Sequence, residues 1–175
     1  MASDIVLFEG EKFRLGFDNV VNAEAKGALK IIECNEADIR QAVEQNRADI
    51  ILVAEQGMQD SMHYRKTALD HIVCGLARKK GIAFAFSFSY LLNARNRAVA
   101  MGRVMQNIRL CRKHKVRMVF ASFASDKWEM RAFAELKSFA VVLGMTQKEA
   151  ADSLNAIEAI AELKQKGSGG ARVIS

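Results

Sequence analysis

Side chains able to do acid–base, nucleophilic or metal chemistry are few in this sequence, and they are scattered. The three histidines are His63, His71 and His114. None belongs to an HxH, HExxH or HxxxH spacing, which would bring two imidazoles to one metal ion. Asp70 and His71 are the only His–carboxylate neighbours, but adjacent helical positions diverge by about 100°, so they make poor co-ligands. Cys34, Cys74 and Cys111 are odd in number and far apart, which argues against a disulfide framework or a zinc site. Cys111 reads as a small core residue. Ser122, in "ASFAS", falls at the carboxyl end of an expected strand, where α/β folds place functional groups. It has no evident histidine partner.

A different chemistry is concentrated in one place. "LLNARNRAVAMGRVMQNIRLCRKHKVRMVFASFAS" (Leu91–Ser125) holds eight Arg and Lys and no acid. The wider segment 71–125 carries eleven of the 26 basic side chains and none of the 20 acidic ones. A local cationic field of this kind suits a polyanion. It also suits a solvated helix whose last turn is basic because the macrodipole favours cations there. The dipole accounts for two or three cations near 112–115. It does not account for Arg95, Arg97 and Arg103, nor for the absence of i,i+4 acid–base pairs. Arg95, Arg97, Arg103, Arg109, Arg112, Lys113, Lys115 and Arg117 are therefore the candidate phosphate-binding residues.

Among polyanions, a membrane surface fits poorly, because the helix has no Trp or Phe on its apolar side. Neither GxGxxG nor GxxxxGK[ST] is present for a small phosphate ligand. RNA or DNA phosphates remain. Trp128, in "DKWEMR", is expected to pack a loop, although a tryptophan beside cations also suits stacking on a base. Phe84, Phe86 and Phe88 share one face of an expected strand, which suits a core and not a stacking platform.

The elements that must position these residues alternate along the chain. Strands are expected at Asp4–Phe8, Phe13–Phe17, Ala28–Cys34, Asp49–Glu55, Ile82–Ser89 and Arg117–Phe123. A helix capped by Asn35 follows the third of them. Further helices are expected over Ala68–Gly81 and Asn96–His114, and at about 128–143, 146–153 and 155–166. On the Asn96–His114 helix, Met101, Val104, Met105, Ile108 and Cys111 form the packed face. Arg103, Gln106 and Lys113 then point away, Arg109 lies at the margin, and Arg97 and Arg112 lean towards the core. Repeated strand–helix units imply an α/β fold with a parallel sheet. The 175 residues suit one domain, expected over 1–166, with a flexible tail over 167–175. No secretory signal or membrane-length apolar run is evident, and the cysteine usage suits a reducing cytoplasm.

Several motifs taken as a series resemble archaeal ribonuclease P protein component 3, the family of the thirty-kilodalton ribonuclease P subunit. They are "RNRAVAMGRVMQNIRLCRKHKVRMVFASFAS", "MRAFAEL" with Arg131 opening a helix, "VVLGMTQKEAADSL", and "LDHIVCGLARKKGIAFAFSFSYLL". The resemblance covers roughly residues 49–153. It departs from the family in lacking prolines, and in having no counterpart to the strand and helix that usually open the chain. It implies a TIM-barrel-like (β/α) barrel, incomplete at its N-terminus or completed by another chain. It further implies an RNA-binding subunit of ribonuclease P that removes the 5′ leader of precursor tRNA together with the catalytic RNA. The chain alone would not be catalytic and would hold no cofactor; divalent metal (Mg) would act with the RNA. The implied partners are ribonuclease P RNA, precursor tRNA and a small ferredoxin-like subunit, two copies of each protein. Two other readings compete: a metal-dependent phosphoesterase of the related histidinol-phosphatase-like barrels, and an assembly module whose basic face meets an acidic protein.

Overall fold

The computed structural model describes residues 1–9, 13–23, 29–54, 60 and 66–168. Six short parallel strands form its centre. They are β1 (Ser3–Val6), β2 (Asn19–Asn22), β3 (Ile31–Cys34), β4 (Ile50–Val53), β5 (Ala83–Ser87) and β6 (Met118–Ala121). One sheet runs β3-β4-β5-β6 and the other is β1-β2. They meet where Val6 bridges Ala124, with Leu7 N–H donating to Ala124 O at 2.8 Å and Phe123 N–H donating to Ile5 O at 2.7 Å. The strands nearest the N-terminus thus lie beyond the last strand, β6.

The helices are α1 (Glu36–Glu44), α2 (His71–Lys80), α3 (Phe88–Asn93), α4 (Arg97–His114), α5 (Phe133–Val142) and α6 (Gln147–Ser168). Their ends follow local chemistry. Asn35 caps α1 through Ala37 and Asp38, and Asp70 caps α2 by accepting from Val73 N–H at 2.7 Å. Asp70 is thereby a cap and not a partner for the exposed His71. Gly81, at φ 72°, closes α2 in the left-handed conformation that glycine adopts without a Cβ penalty.

Strand alternation separates two packed faces. Ile51, Val53, Phe84, Phe86 and Phe120 join Val73, Cys74, Val104, Ile108 and Leu136 from the helices in the larger core. Ile5, Ile50, Leu52, Ala83, Ala85, Val119 and Ala121 meet Ala156, Ile157 and Ile160 of α6 on the other face. The large–small alternation of "AFAF" now has a cause: alanines leave room for α6, and phenylalanines fill the side beneath the outer helices.

Several expectations need correction. Phe13–Phe17 is a turn and not a strand, with Leu15 at φ 45° and Gly16 at φ 85°. Phe17 is buried there against Phe133, its ring edge-on at 5.5 Å. The second strand is Asn19–Asn22, too polar to signal itself. Phe88 leaves the strand to begin α3, because Ser87 caps that helix by accepting from Tyr90 N–H at 2.9 Å. The helices expected at 146–153 and 155–166 are one, α6, in which Asn155 donates to Ala151 O at 2.9 Å and does not break the run. His63 and residues 169–175 lie outside the described residues. No helix among the described residues is long and apolar enough to cross a membrane.

Candidate nucleic-acid interface

α4 places the candidate cations. Its 18 residues span about 27 Å, so its two ends serve opposite ends of the sheet. Asn96 caps its start, accepting from Val99 N–H at 3.2 Å, and Lys115 ends it with φ at 54°. The buried stripe is Ala100, Arg103, Val104, Asn107, Ile108 and Cys111. It is rotated by about one position from the expected face, because polar Arg103 and Asn107 occupy it.

Arg103 is therefore a correction. It was expected to point outward, but it is only 6 % exposed and pairs with Asp60 at 2.8 Å. A buried guanidinium held this way positions structure and offers almost no surface to a phosphate. Arg95 and Arg97 are exposed at the start of α4, and Arg97 Nε donates to Leu92 O at 3.2 Å.

At the far end, Arg109, Lys113, Lys115 and Arg117 are exposed, with no ion pair among the described residues. Arg112 does find the partner its helical angle demanded. Its Nε donates to Glu149 at 2.7 Å and its Nη2 to Glu149 at 2.6 Å, with a further bond to Gly144 O at 2.6 Å. The Arg112 hydrogen bond is the main reason the Glu149 carboxyl falls from its usual 4.5 to about 2, against a smaller upward push from burial. Glu149 also forms a capping box with Thr146. Its carboxylate accepts from Thr146 N–H at 2.8 Å, and its N–H donates to Thr146 Oγ1 at 3.1 Å. "LGMTQKEA" thus ends α5 with a left-handed glycine (Gly144, φ 100°), buries Met145, starts α6 and clamps Arg112.

α2 packs beside α4, and both return antiparallel to the strands, so their C-termini meet at the amino end of the sheet. Arg78, Lys79 and Lys80 are exposed there. Arg78, Arg112, Lys115 and Arg117 converge with Glu149 and Asp152 on a cleft of about 520 Å³. The α2 cations belong to this rim, and they lie outside the eight candidates that the sequence pattern singles out. Their charge was visible in the sequence; their proximity to α4 was not.

The carboxyl end of the sheet is built differently. A cavity of about 720 Å³ opens there among Ser87, Ser89, Tyr90, Asn93, Arg95, Asn96 and the Asp60–Arg103 pair. Glu129 is pinned at its edge by Ser89 Oγ at 2.5 Å, Asn93 Nδ2 at 2.6 Å and Ser125 N–H at 2.8 Å. Burial pushes the Glu129 carboxyl up, but these hydrogen bonds, with Arg131 nearby, outweigh it and leave it below the usual range. Ser122 is fully buried, and its Oγ donates to Asp4 at 2.7 Å. Asp4 also accepts from Ser122 N–H at 2.7 Å and Ile5 N–H at 2.9 Å. Burial drives the Asp4 pKa upward, opposed by those bonds. Ser122 and Asp4 therefore lock β6 to β1. No group of three or more His, Cys, Asp and Glu among the described residues is arranged to hold a metal ion.

The parallel sheet, its covering helices and the cationic rim define an α/β protein with two chemically distinct ends. Residues 31–167 match the family model described as RNase P subunit p30, and the chain belongs to that family. It is 38% identical over 88 residues to ribonuclease P protein component 3 of Thermococcus kodakarensis, covering 49% of this chain and 40% of that protein. The protein of that name from Methanococcus maripaludis is 27% identical over 144 residues, covering 78% of this chain and 60% of the relative. This chain thus spans about half the length of the relatives it matches. A chain in the cryo-EM structure of archaeal ribonuclease P with mature tRNA superposes with a TM-score of 0.67 at 24% identity. That superposition covers 82% of this chain and 60% of the other, and the fold is shared.

Proposed function

We propose that this chain is an RNA-binding subunit of ribonuclease P, supporting the catalytic RNA as it removes the 5′ leader from precursor tRNA. The observation that carries this is the exposed rim of Arg109, Lys113, Lys115 and Arg117 beside Arg78, Lys79 and Lys80, in a member of the p30 family. Each exposed cation that meets a phosphate releases condensed counterions, so the rim binds RNA by charge and holds its fold. Arg95 and Arg97 extend the contact at the other end of α4. Arg112 contributes less, because Glu149 already neutralises it.

The scaffold is a TIM-barrel-like arc. Six parallel strands in the order β3-β4-β5-β6-β1-β2 support this reading, because such an order returns the start of the chain beside its last strand. The divalent metal, Mg, acts with the RNA, and this chain provides no catalytic group. The protein partner is a small ferredoxin-like subunit, two copies of each, in the cytoplasm. A phosphoesterase centre would need clustered His, Asp and Glu at the strand ends, and the described residues do not assemble one.

The test is a titration of the chain against ribonuclease P RNA across salt concentrations. The native chain is expected to give a slope of log affinity against log salt of about −3 to −4, and replacing Arg109, Lys113, Lys115 and Arg117 together by Ala should flatten it to about −1. An unchanged slope in that folded variant would reassign the rim to an acidic protein partner.

A further inference from the structure

Trp128 is the only tryptophan in the chain and is 73 % exposed. One exposed apolar side chain is ordinary by itself; what sets this one apart is its setting. The loop that carries it is firmly built. Met130 is buried with Val6 and Ala124, which anchors one side of the loop. Trp128 N–H donates to Asp126 Oδ1 at 2.6 Å, and Arg131 Nη1 donates to Trp128 O and Met130 O, both at 2.8 Å. Glu129 is tied to Ser89, Asn93 and Ser125. The indole is therefore held in solvent by a preorganised loop, and little ordering entropy is lost when it is covered.

We propose that Trp128 is a stacking site for an unpaired nucleotide of RNA, with Lys127 and Arg131 beside it to meet the phosphates. Lys127 Nζ stands 5.2 Å from the Trp128 ring centroid and 5.9 Å from that of Phe13. Arg131 lies over Phe88 at 5.3 Å. The two acids of the loop are already engaged: Asp126 accepts from Trp128 N–H, and Glu129 from Ser125 N–H and from Ser89 and Asn93 of α3. The Asn93–Glu129 bond also joins this loop to the α3–α4 junction, which carries exposed Arg95 and Arg97. An aromatic face with Lys127 over it, and Arg131 in the same loop, suits a base and its phosphate better than an apolar peptide. Stacking on one indole is tolerant of base identity, so it adds a single-strand contact without sequence readout.

This rests on the RNA-binding reading, and the experiment separates the two. Because Trp128 is the sole tryptophan, emission excited at the red edge, where the two tyrosines do not absorb, reports on it alone. Saturable quenching is expected with single-stranded oligo(A) and oligo(U) of eight nucleotides, and far less with duplex RNA of equal length. Trp128→Ala should weaken oligonucleotide binding by about five- to 100-fold, read by anisotropy of a labelled oligonucleotide, and Trp128→Phe should retain most of it. Lys127→Ala should weaken it by severalfold. An unaltered thermal melt of Trp128→Ala shows that folding is intact. If Trp128 emission stays constant while the chain binds ribonuclease P RNA with the expected salt slope, stacking is wrong and the basic rim stands. If emission changes only when a protein subunit is added, the loop is a protein interface and the proposal is overturned. Failure to bind any RNA overturns both readings.

Discussion

At the carboxyl end of the sheet, Arg95 and Arg97 stand exposed, but the other charged side chains of the site are turned inward and paired. Arg103 is buried on Asp60, Asp4 on Ser122 and Ile5, and Glu129 on Ser89, Asn93 and Ser125. At the amino end, the cations of α2, α4 and the turn into β6 stand in water, and one carboxylate, Glu149, restrains one of them. Both ends draw on the same acid-free stretch. Membership of a basic run therefore does not make a residue an RNA contact. A long cation on the buried stripe of a helix needs a carboxylate from another element, and once it has one it is part of the core. A cation on the solvent side keeps its field for a ligand.

Substitutions can break that contrast. Arg103→Ala is expected to have the largest effect on stability, about 3 kcal/mol, since it removes a buried stem and parts an ion pair. Asp60 is one-third exposed, which holds the loss below that of a fully buried pair. Chemical denaturation measures it, and the salt slope of RNA binding should not change. A stable Arg103→Ala chain with a flattened slope would place Arg103 with the rim after all.

Asp4→Ala comes next, at about 2 kcal/mol, because Ser122 and Ile5 lose a buried acceptor. Asp4→Asn should cost less than 1 kcal/mol, since its amide can donate to Ser122 Oγ while that hydroxyl donates to Ile5 O, now at 3.1 Å. The raised pKa means that the folded chain holds the Asp4 proton more tightly than the unfolded one. Its contribution is full below the ordinary aspartate value and is lost as pH rises through the folded value. Asp4→Asn should abolish that component of the pH–stability curve.

Glu149→Gln should give the smallest change. The clamp stabilises the fold above pH 4.5, and its contribution is lost as pH falls towards 2. With Arg112 two-fifths exposed, screening limits the pair to about 1 kcal/mol or less at neutral pH. The glutamine oxygen can still cap α6. Releasing Arg112 adds one cation to the rim, so the slope of RNA binding should steepen by about 0.7–0.9. A slope that does not move would show that Arg112 faces no phosphate.

Local chemistry was readable along the chain. The parallel α/β alternation, the Asn35 cap, the Gly81 terminator and the span of the Asn96–His114 helix follow from nearest-neighbour propensities and periodicity, and the acid-free run of 71–125 is read directly off the sequence. Polar β2 and the Leu15–Gly16 turn escaped because neither is specified locally. Asn19–Asn22 is a strand because β1 pairs with it, and Phe13–Phe17 bends because Phe17 packs on Phe133. Sequence by itself determined which residues carry charge and roughly where the longer helices lie, but not α3 or the start of α5 at Phe133. Only the tertiary structure decided which charges are free. Asp60 lies 43 residues from Arg103, Glu149 lies 37 from Arg112, and Ser122 lies 118 from Asp4. Pairings at such separations depend on how elements pack, and helical phase alone would have left Arg103 in solvent.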